Sequence, residues 1–275
     1  MMSTSRPGSV LSRRRVFGLA FVDAADPADV AEALLAERPE PRHAGHLPVM
    51  VTPNVDHLVR LARRVDTDAA AVVDGARFVL PDGQPVVWAS RLLGRPLRSR
   101  LAGSEVVAAL WPRLVARQVP VAVVASDDRI AVALRAQHPG ARVLVAPWLD
   151  RDDAEAFGRF ADRCVEVALG TEFLFVAIGF PRSERLIGEL LRRWPAGAPV
   201  PLCCAVGSSF SLLLGHRRRT PRWVSRLGLE WFVRLVEEPR RLVGRYASDA
   251  IGFPPLVWRE YRSARLAGTR RPVPG

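Results

Sequence analysis

Four loop segments hold the residues whose types and spacing suit chemistry best: Thr52-Pro53-Asn54, Asp74-Gly75, Gly179-Phe180-Pro181 and Gly207-Ser208-Ser209. Each closes a short apolar run that reads as a buried strand. Ligands of an open parallel sheet bind beyond the carboxyl ends of its strands, so these four ends, if they converge, form one crevice. Thr52, Asn54 and the serines offer hydrogen bonds there, and a following helix N-terminus offers backbone donors to phosphate. Asp74 is the sharpest acid: it ends an apolar run, and Gly75 lets the chain turn closely around a bound molecule. A carboxylate so placed can take the proton of an attacking hydroxyl, or close an Asx turn on its own backbone. Asp82-Gly83, set between two extended pieces, reads as the plainer turn. Glu105 and Glu184 are alternative acids at helix starts, where the helix dipole alone would also favour them.

Other chemistries fit poorly. His43, His46, His57, His138 and His216 show no metal-ligand spacing, and Cys203-Cys204 would point to opposite faces of a strand. No metal or other cofactor is expected. With Cys164 as the third cysteine, a disulfide framework is not indicated and a reducing compartment fits. Walker, GxGxxG and GxSxG frames are absent, Gly207-Ser208-Ser209-Phe210-Ser211 included. Asp127-Asp128 reads as a helix cap rather than a cation pair.

Alternating strands and helices must position these loops. Strands are expected at Val16–Val22, Leu47–Thr52, Ala69–Val73, Val119–Ala125, Arg142–Ala146, Glu172–Ile178 and Pro201–Val206, with a broken extended segment over Phe78–Trp88. Helices are expected at Pro27–Arg38, from Asn54 to Arg64, from Gly103-Ser104 to Arg117, and at Asp127–Gln137, Asp152–Cys164 and Ser183–Trp194. The strands are unbroken apolar runs, which suits sheets covered on both faces and joined by right-handed crossovers. The expected class is α/β: Rossmann-like parallel sheets flanked by helices, with a basic helical C-terminal appendage. The expected divisions are an N-terminal extension over 1–46, a core over 47–215 and the appendage over 216–275.

The 275 residues are 49% hydrophobic and 25% charged, a globular balance. No apolar run reaches the length of a membrane span. The net charge is +12 and every basic residue is an arginine. Fourteen arginines against five acids lie from Arg217 onward. Trp223–Val236 and Arg240–Ala250, separated by Pro239, read as amphipathic helices; Leu227, Leu229, Trp231, Phe232, Leu235 and Val236 form the apolar stripe of the first. Such a tail suits an anionic membrane surface, or a helix pair that covers one end of the sheet. No zinc-finger spacing or RNA-recognition motif supports a nucleic-acid partner.

The segment Gly228-Leu229-Glu230-Trp231-Phe232-Val233-Arg234-Leu235, followed by Glu238-Pro239-Arg240-Arg241-Leu242 and Arg245-Tyr246, resembles the signature of the WecG/TagA/CpsF glycosyltransferases, glycosyltransferase family 26. Thr52-Pro53-Asn54, Asp74-Gly75, Gly103-Ser104-Glu105, Gly179-Phe180-Pro181 with Glu184, and Arg219-Thr220-Pro221 with Trp223 are similar to further family blocks in the same order. The resemblance runs from about Val49 to Tyr246.

It implies transfer of a sugar, often N-acetylmannosamine, from a UDP-sugar to a polyprenyl-diphosphate-linked sugar. The setting would be the cytoplasmic face of a bacterial membrane, with peripheral attachment, and the products would enter cell-surface polymers such as teichoic acid or exopolysaccharide. Relatives are often homo-oligomers. The resemblance implies a general base at Asp74, with Thr52 and Asn54 in the same pocket. It implies substrate contacts from Gly75, Gly103, Ser104, Glu105, Gly179, Pro181, Ser183, Glu184 and Gly207, and from Arg219, Arg226 and Arg234 of the tail. Ser183 stands where the family has glutamine, Ser211 where it has an acid, and Thr220 where it has alanine. These departures raise one alternative, a weakened family member that serves as a scaffold.

Overall fold

A computed structural model describes residues 11–40, 46–148, 153–217, 224 and 230–268. Its centre is one sheet of eight strands: β1 (Arg13–Val16), β2 (Leu19–Val22), β3 (Leu47–Val51), β4 (Ala76–Val79), β5 (Val121–Ala125), β6 (Arg142–Val145), β7 (Phe173–Val176) and β8 (Leu202–Ala205). The spatial order is β1-β2-β4-β3-β8-β7-β5-β6. Among the eight described strands the β1–β2 hairpin is antiparallel and every other pairing is parallel. The carboxyl ends of β2 to β8 therefore share one edge of the sheet.

Eleven helices are described: α1 (Pro27–Ala36), α2 (Val55–Ala62), α3 (Thr67–Gly75), α4 (Gln84–Leu92), α5 (Gly103–Ala116), α6 (Asp128–Gln137), α7 (Ala154–Ala168), α8 (Arg182–Arg193), α9 (Ser209–Leu213), α10 (Glu230–Glu237) and α11 (Pro239–Gly268). Strand side chains alternate between two apolar layers, as the pleat requires. Val49, Val51, Val124, Leu174, Val176 and Cys203 join the layer under α2, α3, α4, α7 and α8. Met50, Val123, Phe173, Phe175 and Cys204 join the layer under α1, α5, α6 and α9. Both faces are covered, so the strands carry no polar face and read as continuous apolar runs.

Two sequence expectations change here. Ala69–Val73 is not a strand but the middle of α3, whose N-terminus Asp66 caps by accepting from the Ala69 N–H at 3.0 Å. The helix buries Ala69, Ala70, Val72 and Val73 on one side, while Ala71 and Asp74 are exposed. Because the exposed member of the run is alanine, the 3.6-residue period is invisible in the sequence. The extended segment over Phe78–Trp88 is instead the end of β4 followed by α4. Gly83, at φ +115°, makes the turn between them.

The tail also differs. Of the expected helix at Trp223–Val236, residues 223 and 225–229 lie outside the described residues, Val224 is helical and buried, and α10 covers 230–236. The expected helix Arg240–Ala250 is the first part of the 30-residue α11, which continues through Pro254 and Pro255. α11 lies against α2, with Gly252 over Val59 and Arg63. Leu256 is buried in the layer beneath α2 and α4.

Phe210 of α9 packs edge-on against Trp111 and Phe175, with ring centroids 5.1 Å and 5.5 Å away. All three rings are fully or nearly fully buried. Phe210→Ala is expected to cost about 3–5 kcal/mol in urea unfolding; a loss under about 1 kcal/mol would contradict this packing.

Candidate active site

The connections leaving the shared strand edge diverge. The chain after β3 runs to α2 on one face of the sheet, whereas the chain after the neighbouring β8 runs to α9 on the other. A crevice opens where such connections part. Backbone hydrogen bonds hold its rim. Leu80 N–H donates to Val51 O at 2.9 Å, Asp82 N–H to Pro53 O at 3.2 Å, and Leu101 N–H to Pro81 O at 2.9 Å. The β3–α2 loop, the β4–α4 loop and the approach to α5 are thereby joined.

The crevice brings together several of the expected residues. A Cβ on Gly103 would lie 3.0 Å from Thr52 Cγ2, so α5 starts in close contact with Thr52, and a larger residue there would push the Thr52 side chain aside by a few tenths of an ångström. Asn54 Oδ1 accepts from the His57 N–H at 3.2 Å and caps α2. Ser104 sits beside Gly103 in the first turn of α5, which no side chain caps among the described residues. Glu105, exposed, accepts from Arg100 Nη2 at 2.5 Å and so orients an arginine of the cavity below. Gly207, at φ +51°, turns the chain between β8 and α9.

Beside this crevice lies a cavity of about 370 Å³. The core contributes Asn54, Asp56, Asp82, Gly83, Gln84, Pro85 and Arg100; α10 and α11 contribute Trp231, Arg245, Tyr246, Asp249, Phe253 and Pro254. The tail is thus a wall of the site. Asp249 is largely buried and its Oδ1 has no hydrogen-bond partner among the described residues. Burial, and then the nearby Asp56 carboxylate, push its pKa up to about 6 against the pull of Arg245, Arg60 and Arg63. A second, more open cavity of about 750 Å³ lies along the same strand edge, between Asp127, Asp128 and Arg129 of the β5–α6 turn and Ser211, His216 and Arg217.

Asp74 does not reach the site. It is exposed in the last turn of α3, before β4 begins, and a Cβ on the adjacent Gly75 would lie 3.1 Å from Leu47 at the start of β3. Asp74 and Gly75 therefore stand at the amino ends of the strands, across the sheet from Thr52 and Asn54. The acid at the carboxyl end of β4 is Asp82, which reads from sequence as a plain turn. Its signal lies in Pro81-Asp82-Gly83, which closes the apolar run Phe78-Val79-Leu80.

Three further expectations resolve differently. Ser183 is fully buried and its Oγ donates to Val176 O at 3.2 Å, so it does not face the cavity. Glu184 is also buried, between α8, Arg60 and Asp66. Gly179 and the cis Phe180-Pro181 bond start α8; the Phe180 ring stacks on His57 at 4.2 Å and under the Arg60 guanidinium at 4.9 Å. Burial, together with Arg245 and Arg60, lowers the His57 pKa to about 3 and keeps the ring neutral. Arg219 and Arg226 lie outside the described residues, as does the side chain of Arg234. Among the described residues no cluster of three or more acids, histidines or cysteines could hold a metal ion, and no helix is long and apolar enough to cross a membrane.

Compared with known proteins, residues 14–267 match the model of the Glycosyl transferase WecG/TagA/CpsF family, and the chain belongs to that family. It is similar to an N-acetylglucosaminyldiphosphoundecaprenol N-acetyl-beta-D-mannosaminyltransferase of Bacillus spizizenii, 30% identical over 62% of this chain and 65% of the relative. A Bacillus subtilis protein of the same name is 28% identical over 70% of this chain and 73% of that relative.

Burial raises the Glu184 pKa to about 7, a rise that its own backbone hydrogen bond and Arg60 partly offset. Such a carboxyl binds its proton more tightly in the folded chain than in the unfolded one, where 4.5 is the ordinary value. Its contribution is complete below about 4.5 and is lost as pH rises through about 7. Wild type should therefore lose about 3 kcal/mol relative to Glu184→Gln between those limits, read from urea midpoints. Parallel pH profiles would contradict a neutral, buried Glu184.

Proposed function

We propose that this protein transfers a sugar from a UDP-sugar to a polyprenyl-diphosphate-linked sugar, with Asp82 as general base. The donor is taken as an N-acetylhexosamine type such as N-acetylmannosamine, in keeping with the names of the two Bacillus relatives. The observation that carries the reading is the cavity itself, where the Asp82 loop meets Asn54, Arg100 and Arg245 under a wall of tail residues.

In this mechanism the acceptor hydroxyl gives its proton to the Asp82 carboxylate. Its oxygen forms a bond to the anomeric carbon of the donor while the bond from that carbon to the UDP oxygen breaks. UDP leaves with the electron pair, and a direct displacement inverts the anomeric centre. Charge grows on the leaving diphosphate. The uncapped first turn of α5 at Gly103 and Ser104, with Arg100, is placed to offset it. Asp249, whose pKa is raised to about 6, is a partner for an acceptor hydroxyl.

The same reading sets the protein at the cytoplasmic face of the membrane, peripherally bound. Its support is the exposure of Trp231, Phe232, Val236 and Val243 on an arginine-rich tail. Attraction to anionic lipid adds about 1 kcal/mol per near-surface arginine and is screened by salt.

Asp82→Asn should lower transfer of radiolabelled sugar from UDP-N-acetylmannosamine to lipid-linked N-acetylglucosamine by about 10²–10⁴-fold in kcat. Asp74→Asn, at the opposite end of the strands, should stay within about twofold of wild type. The reverse ranking would return the base to position 74 and refute Asp82 as the proton acceptor.

A further inference from the structure

We propose that the exposed apolar stripes of α4 and α11 hold the first part of the acceptor's polyprenyl chain; this rests on reading the adjoining cavity as the sugar-diphosphate site. Both helices line that cavity. Gln84 and Pro85, at the start of α4, and Phe253 and Pro254 of α11 line its wall. Beyond the end of α4, Arg95 donates to Glu260 of α11 at 3.2 Å and ties the helices again.

Between these two points each helix presents an apolar stripe. On α4, Pro85, Trp88 and Leu92 follow one another at i, i+3 and i+7, with Trp88 44% and Leu92 73% exposed. On α11, Pro254, Trp258 and Tyr261 follow at i, i+4 and i+7; Trp258 is 60% exposed and stacked on Tyr261 at 5.8 Å. One exposed apolar side chain needs no explanation, but two stripes that begin at the same cavity mark a binding surface.

Covalent connection selects the occupant. A diphosphate held near Arg100 and Arg245 is bonded directly to its lipid, so the chain must leave the cavity over whichever wall is apolar. Pro85, Phe253 and Pro254 form one apolar side of the cavity, with Trp231 and Tyr246 on the other, and the stripes of α4 and α11 continue from the first. Pro85 to Leu92 spans about 10 Å at helical rise, enough for the isoprene units nearest the head group. The flat indoles of Trp88 and Trp258 suit contact with unsaturated hydrocarbon, at about 25 cal/mol per Å² removed from water.

The test is photolabelling of the full chain in detergent by a decaprenyl diphosphate that carries a diazirine on its second isoprene unit, followed by peptide mapping. Label should concentrate in residues 85–92 and 254–261. The double variant Trp88→Ser, Leu92→Glu should reduce it about tenfold, while its sedimentation with anionic phosphatidylglycerol vesicles stays at the wild-type level. Wild-type label confined to residues 231–243, or spread evenly, would overturn the proposal. So would a parallel loss of labelling and vesicle binding, which would assign the stripes to membrane contact. Labelling needs neither donor nor turnover, so a protein that labels as expected but transfers no sugar would refute the proposed reaction and leave this binding surface standing.

Discussion

The pairing of β3 with β4 does not stop at the last ladder residue. It runs on through Leu80 N–H to Val51 O and Asp82 N–H to Pro53 O, and Pro81 O then accepts from Leu101 N–H. Three loops that are far apart in the sequence are fixed to one another by main-chain bonds, which do not depend on side-chain identity. With all three held, Thr52, Asn54, Asp82 and the start of α5 have one arrangement. Glycine at 103 lets α5 begin against Thr52, where a Cβ would make a tight 3.0 Å contact. The site is thus preorganised by the sheet, and its side chains are carried on elements whose cores are closed on both faces.

The wall opposite is of a different kind. α10 and α11 bring Trp231, Arg245, Tyr246 and Asp249 to the cavity, and α11 is anchored through Gly252 on α2 and Leu256 in the core. Asp56 and Asp249 face each other among Arg60, Arg63 and Arg245, so the joint between tail and core is made of charge as well as packing. The tail closes the cavity while Trp231 and Phe232 remain partly exposed.

Much of this was legible in the sequence because parallel strands buried on both faces must read as apolar runs; six of the expected strands, from Val16–Val22 to Pro201–Val206, contain observed ones. The family signature was legible too, in Gly228–Leu235 and Glu238–Leu242. Position 74 reads differently in the structure for a physical reason. In α3 the exposed residue among four buried ones is Ala71, so the helical period leaves no polar mark and the run reads as a strand. A strand there would put Asp74 at a carboxyl end it does not occupy, and leaves Asp82 reading as a turn. Ser183 and Glu184 matched a family block, but sequence alone could not show that the first turn of α8 points them inward. The contribution of Asp56 and Asp249 was illegible as well, since it arises only from contact between α2 and α11.

The central claim is that chemistry takes place at the carboxyl edge of the sheet, between the Asp82 loop and the start of α5. Diffraction from crystals of the full chain soaked with UDP tests it most directly. The account predicts a diphosphate within hydrogen-bonding distance of the Gly103 and Ser104 amides, with the Asp82 carboxylate facing the space beyond it. A nucleotide bound at the amino ends of the strands, beside Asp74 and Gly75, would contradict it.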